Sequence, residues 1–180
     1  MEEKGSRFEA FAFPCSSISE HQSCLKELSS RYSDASHIAY AYKYLEEGVT
    51  RLKASDDGEP SGTAGRPILN HIDGRQLINV TVFVIRYFGG TKLGAGGLVR
   101  AYGGAAGLCL DQGNIQKYIA KIQVRIQVGY PQEKQLDYDL KSLEALVISK
   151  DYGANITYHI SVPKEKKSEL LQHYPQATDL

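Results

Sequence analysis

The hydrophobic positions of this 180-residue chain follow a mixed strand and helix pattern. Alternating or continuous apolar runs predict strands over 7–13, 38–44, 77–87, 121–130 and 156–162. Apolar residues at helical spacing predict five helices. The first begins after Ser17, and the others cover 65–72, 98–109, 131–147 and the region of Leu170. The run at 77–87 is apolar on both faces, so we expect it to be a central strand.

The pattern changes after Gln112-Gly113-Asn114. This change predicts two domains, 1–114 and 115–180. In the second domain, the order strand, helix, strand, helix indicates a small α+β sandwich. Nothing in the pattern indicates an oligomeric state.

A glycine-rich segment follows the most hydrophobic strand and opens the helix after it. Glycines let backbone amides converge, and a helix presents its positive end at its first turn, so the segment predicts a phosphate site. The candidate ligands, which include nearby cations, are Arg66, Arg86, Gly89, Gly90, Lys92, Gly94, Gly96, Gly97 and Arg100. The alternative is that the glycines serve only a tight turn and close packing.

Three more glycines, Gly103, Gly104 and Gly107, fall inside the predicted helix. Each costs about 1 kcal/mol relative to alanine in a helix interior. We therefore expect another element, most simply the sheet, to pack closely against them.

The loop before the predicted helix 65–72 carries three carboxylates, Asp56, Asp57 and Glu59. They are candidates either for a divalent cation or for pairing with the nearby arginines, which would only hold the loops in place. They lack the spacing of a calcium loop, so no metal and no cofactor are predicted.

Aromatic residues line one face of the strand 38–44. Tyr40, Tyr42 and Tyr44 lie at alternate positions. Such a face has two interpretations: it stacks nucleobases, or it packs against helices. Packing is the favoured interpretation, because aromatic residues dominate ordinary cores.

The charges of the chain balance, with 21 basic and 21 acidic residues. No overall field therefore attracts nucleic acid or a membrane. Locally, 61–104 holds five cations and one acid, so any such attraction is confined to this stretch. Three cysteines without zinc-like spacing, and no long apolar segment, favour a cytoplasmic protein with reduced thiols and no membrane partner.

Two long motifs resemble the IMPACT/YigZ family. They are 56–67, Asp-Asp-Gly-Glu-Pro-Ser-Gly-Thr-Ala-Gly-Arg-Pro, and 86–94, Arg-Tyr-Phe-Gly-Gly-Thr-Lys-Leu-Gly, continued by Gly-Leu-Val-Arg-Ala-Tyr at 97–102. The resemblance implies a first domain with the α+β fold shared by a small-subunit ribosomal protein domain and elongation factor G domain IV. It implies a ferredoxin-like second domain similar to domain V. The short segment 175–180 leaves open whether that sheet has its last strand.

The resemblance favours a non-enzymatic, translation-linked regulator that binds RNA or the ribosome through the basic glycine-rich face. Two other hypotheses stay open: a small enzyme acting on a phosphorylated metabolite or nucleotide, and a protein–protein regulatory module. Against the enzyme, the segment 89–97 matches neither a P-loop nor a dinucleotide fingerprint, and no catalytic residue is predicted.

Overall fold

The computed structural model describes all 180 residues and divides into two units, Met1–Ile115 and Gln116–Leu180. Each unit contains one antiparallel sheet, and the chain has five α-helices. The mixed α+β class expected from the sequence is confirmed. No helix combines the length and the apolar character that crossing a bilayer requires.

The sheet of the first unit has five strands in the order β1-β2-β5-β3-β4. Their bounds are β1 Glu2–Glu3, β2 Ser6–Pro14, β3 His37–Glu46, β4 Val49–Ser55 and β5 Val80–Tyr87. The apolar run predicted as the central strand is β5, which pairs with β2 and β3 and is buried from 81 to 86. The strand β4 was not predicted, because its side chains are mostly exposed and polar.

Helices cover both faces of this sheet: α1 Ile18–Arg31, α2 Gly65–Gly74 and α3 Gly94–Asp111. Alternate residues of β5 point to opposite faces of the sheet and belong to two separate hydrophobic clusters. Val82 and Val84 pack with α2 and α3, whereas Phe83 and Ile85 pack with α1. Tyr40, Tyr42 and Tyr44 lie on the α1 side and belong to hydrophobic clusters. The packing interpretation of the tyrosine face therefore applies.

The helices α2 and α3 run side by side in the same direction. His71 of α2 lies against Gly103 and Gly107 of α3, where a Cβ on Gly107 would be 3.0 Å from the imidazole Cε1. At the far ends, Arg75 Nη2 lies 2.6 Å from Asp111 Oδ1. The element that approaches Gly103 and Gly107 is therefore α2, whereas Gly104 faces the side chain of Met1. The expectation that the sheet packs against these three glycines is wrong.

The second unit orders its elements strand, helix, strand, strand, helix, strand. They are β6 Lys121–Val128, α4 Glu133–Ser142, β7 Leu146–Tyr152, β8 Ile156–Pro163, α5 Lys167–His173 and β9 Thr178–Asp179, with sheet order β7-β8-β6-β9. The predicted helix through Val147 ends at Ser142, because Glu144 has a left-handed φ of 54° and a new strand follows. The last strand is present as the two-residue β9, which pairs with β6.

Candidate functional site

A buried carboxylate joins three parts of the first unit. Glu59 Oε1 accepts hydrogen bonds from Arg86 Nη1 at 2.6 Å and from Tyr102 Oη at 2.8 Å, and His37 Nε2 lies 3.9 Å away. The side chains of Glu59 and Arg86 are only 4% and 6% exposed. Burial and the hydrogen bond to Glu59 raise the pKa of Tyr102 above its ordinary value, so the phenol stays protonated and donates.

Arg86 is enclosed on its other sides as well. Its Nη2 donates to Ser6 Oγ at 3.3 Å, and its Cζ lies 5.6 Å and 5.4 Å from the ring centroids of Phe8 and Phe88. Its buried Nε has no partner. The loop-holding alternative therefore describes Arg86 better than the role of an exposed phosphate ligand, because its charge is compensated by Glu59.

Asp56 caps the helix α2. Its carboxylate accepts from the backbone N–H groups of Gly62 at 2.8 Å, Ala64 at 2.9 Å and Gly65 at 2.8 Å. Burial by itself would raise the pKa of Asp56, and the three N–H donors outweigh it, so the pKa lies below its ordinary value. The carboxylate thus serves as the anion at the N-terminus of α2.

Asp57 anchors the same loop to β3. Its Oδ2 accepts from the Ile38 N–H at 2.6 Å, and its carbonyl oxygen lies 2.6 Å from His37 Nδ1. Each of the three acidic-loop carboxylates therefore has its own partner within the unit. The chain contains no group of three or more His, Cys, Asp or Glu side chains arranged to hold a metal ion.

Three cations near the glycine-rich segment remain unpaired. Of the five in 61–104, Arg75 and Arg86 form ion pairs with acids. The other three are exposed and form no ion pair within the chain: Arg66, Lys92 and Arg100. Their charge is directed to solvent, where a phosphate can reach it.

The N-terminus of α3 has no anion of its own. The helix starts at Gly94 with Leu93 as N-cap, no side chain caps it, and its first turn contains no acid. Gly94 has a φ of 70°, which favours glycine. Nη1 of Arg100 lies 3.6 Å from the place of a Cβ on Gly96, so the guanidinium folds back over the first turn. We call this set, Lys92, Gly94, Gly96, Gly97 and Arg100, the α3 anion site.

The α3 anion site lies beyond the end of the sheet. Two contacts with β2 fix the direction of α3. Tyr102 contacts Phe8, with ring centroids 5.2 Å apart, and the Cys109 thiol lies against the Ala12 backbone. The helix therefore runs parallel to β2 and antiparallel to β5. Its first two turns, which precede Tyr102, are at the end where β5 finishes.

The two candidate glycines outside the α3 anion site, and Gly97 within it, differ in their surroundings. A Cβ on Gly89 would collide with the Gly5 backbone, and the Gly89 N–H donates to Ser6 Oγ at 3.2 Å. Gly90 has a φ of 85° and open space around it. A Cβ on Gly97 would be 3.0 Å from Leu93 Cβ. Gly89 is thus required for packing, whereas Gly90 is required for a turn.

Sequence reasoning did not link Tyr102, His37 or Ser6 to the acidic loop. Tyr102 lies in the helix predicted over 98–109 and in the motif 97–102, and it is 43 residues from Glu59 in the chain. No periodicity or short motif connects residues so far apart. They come together through the pairing of β2 and β3 with β5 and through the packing of α3 against β2, where Tyr102 contacts Phe8.

Family models match both units of the chain. Residues 4–110 match the Impact N-terminal domain, and residues 126–173 match a domain of unknown function, DUF1949. The chain belongs to the IMPACT family. Both long motifs that carried the resemblance fall inside the first match, so the family expected from the sequence is confirmed.

Relatives of the IMPACT family match over most of the chain. The Escherichia coli member YigZ is 31% identical over 167 residues, 92% of this chain and 82% of that protein. The Bacillus subtilis member YvyE is 31% identical over 175 residues, 97% of this chain and 80% of that protein. A crystal structure of a hypothetical protein matches with a TM-score of 0.69 and 29% identity, covering 100% of this chain and 90% of that one.

Proposed function

We propose that the unit Met1–Ile115 binds phosphate groups of RNA, free or in the ribosome, and that the protein is a non-enzymatic, translation-linked regulator. The observation that carries the proposal is the uncapped N-terminus of α3 with Arg100 folded over its first turn. Backbone N–H groups at a helix N-terminus and a guanidinium are both donors that phosphate oxygens accept from.

The neighbouring helix supports this assignment. Because α2 and α3 run in the same direction, their N-termini lie at the same end of the unit. Asp56 already supplies the anion at α2, whereas α3 has none. Arg66, in the first turn of α2, adds an exposed cation at this end. A polyanion can therefore contact both Arg66 and the α3 anion site. A single small anion would use only the first turn of α3.

The second unit is consistent with a translation link. Its strand-helix-strand-strand-helix-strand order, with β9 and β7 at the two edges of the sheet, supports a ferredoxin-like fold. We infer that both units have the folds that the family resemblance implies, those of elongation factor G domains IV and V. That relation is one of fold, so binding must be tested at the α3 anion site itself.

The test is co-sedimentation of the protein with ribosomes and with total RNA over a salt series. We compare the wild type with Arg66→Glu and Arg100→Glu. The matched control is Lys26→Glu, which makes the same charge change at an exposed position of α1 on the opposite face of the sheet. Glutamate at position 66 lies in the first turn of α2, where the helix dipole favours it, so this variant should fold.

The proposal expects binding that weakens with salt and with either arginine reversal, while Lys26→Glu binds like the wild type. No binding by the wild type at low salt would contradict it. Magnesium-dependent binding of a nucleotide would instead favour the enzyme hypothesis. A protein partner without any anion binding would favour the regulatory protein–protein module.

A further inference from the structure

Phe88 is a large apolar side chain exposed at the end of β5, with 50% of its surface accessible. Its position is fixed from two sides. Its backbone N–H donates to Ser36 Oγ at 3.0 Å, and its ring lies over the buried Arg86, with 5.4 Å from Cζ to the ring centroid. The ring is therefore held in place by a cation on one side while the other side meets solvent.

The two residues that follow Phe88 have no side chain that could cover its ring. Gly89 and Gly90 come next, and the place of a Cβ on Gly90 has no atom within 4 Å. Lys92, exposed and without an ion pair, follows in the same loop. Phe88 thus stands at the end of the sheet beyond which the first turns of α3 extend, and it combines an open aromatic face with unpaired positive charge.

We propose that Phe88 stacks a nucleobase of single-stranded RNA whose phosphates occupy the α3 anion site; this inference rests on the proposed function. Aromatic side chains beside a cationic surface bind unpaired bases in this way, because every base offers a π-face. A base-paired helix keeps its bases stacked inside, so the ring selects single strands. Phosphate contacts alone would not distinguish a polynucleotide from any other polyanion.

The chain has no tryptophan, which gives a direct test. Phe88→Trp introduces the only tryptophan of the chain at the proposed stacking position, and it can be excited selectively over the 12 tyrosines. We expect its emission to be quenched when single-stranded oligoadenylate is added. Inorganic polyphosphate, which has the charge and lacks bases, should bind with little change in emission.

A second variant measures the contribution of the ring. Phe88→Leu keeps an apolar side chain and removes the π-face, so oligoadenylate should bind between about fivefold and a hundredfold more weakly. Its affinity for polyphosphate should stay the same. Tyr138→Leu, which alters an aromatic residue that is 71% exposed on α4, is the matched control. Thermal denaturation of each variant checks that the fold is retained.

The outcomes separate this inference from the proposed function. If Phe88→Leu binds oligoadenylate as tightly as the wild type, the stacking role is wrong while phosphate binding stands. If the variant loses polyphosphate to the same extent, Phe88 only supports the fold of the site, which also overturns the stacking role. If the wild type binds neither polymer, both the inference and the proposed function fail.

Discussion

Glu59 Oε1 and Arg86 Nη1 lie 2.6 Å apart at a place where both side chains are almost completely buried. A carboxylate in the polar loop 56–64 therefore compensates a guanidinium on the central strand. Tyr102 donates to the same oxygen, so the loop, β5 and α3 meet at one atom. This contact fixes the loop that caps α2 against α3 at Tyr102, about two turns after the uncapped start of that helix.

We predict that Glu59→Gln lowers the free energy of unfolding by about 3–5 kcal/mol, because it leaves the buried Arg86 charge uncompensated. Urea unfolding measures the change. The control is Glu46→Gln, whose carboxylate pairs with Arg51 at 3.0 Å on the surface, and it should cost less than about 1 kcal/mol. Equal costs for the two variants would contradict the role of Glu59 as the centre of the loop contact.

Two glycines of α2 should respond in opposite directions when each is replaced by alanine, as measured by the free energy of unfolding. A Cβ on Gly65 would lie 2.5 Å from the Ser55 backbone nitrogen, so Gly65→Ala should lower the free energy of unfolding by about 1–3 kcal/mol. Gly74, at the other end of the helix, has no atom within 4 Å of that place, and Gly74→Ala should raise it by about 0.4–1 kcal/mol. Thermal or urea unfolding compares them, and a stabilising Gly65→Ala would show that α2 does not pack this closely on β4.

The buried imidazole of His21 predicts a pH dependence. His21 is 2% exposed, its Nδ1 lies 2.9 Å from Thr81 Oγ1, and burial, then Lys53, lowers its pKa. The unfolded state binds this proton more readily, so stability is full above the unfolded pKa of about 6.5 and declines as the pH falls below it.

The measurement is urea unfolding between pH 8 and pH 5. His21→Phe combined with Thr81→Val removes both hydrogen-bonding partners and should reduce the decline. His173→Gln, which changes an exposed histidine on α5, should decline like the wild type. If the double variant loses stability with falling pH as much as the wild type does, His21 is not the source of the pH dependence.

The sequence predicted the central strand because the run that forms β5 is apolar on both faces. It predicted α1 through the cap at Ser17, whose hydroxyl accepts from the Glu20 N–H. It missed β7, because the apolar residues Leu143 and Val147 continue a helical spacing across the turn at Glu144. Local spacing does not reveal where a helix stops when a buried position follows the break.

The candidate site divides in the same way. The glycine turn at Gly90 and Gly94 could be anticipated from composition, since a left-handed φ requires such residues. The exposure of a given arginine could not be anticipated. Arg86 and Arg100 both lie in the glycine-rich motif, and the partner that buries Arg86 is 27 residues away in the chain. Tertiary pairing, which no short pattern encodes, decides which cations face solvent.

The decisive measurement for the α3 anion site is the salt dependence of RNA binding by Arg100→Gln. With single-stranded RNA, the logarithm of the binding constant is followed against the logarithm of the salt concentration for wild type, variant and Lys26→Gln. If Arg100 contacts a phosphate at the start of α3, its removal should reduce the slope by about 0.7, and Lys26→Gln should leave it unchanged. A slope that Arg100→Gln does not alter would contradict the α3 anion site.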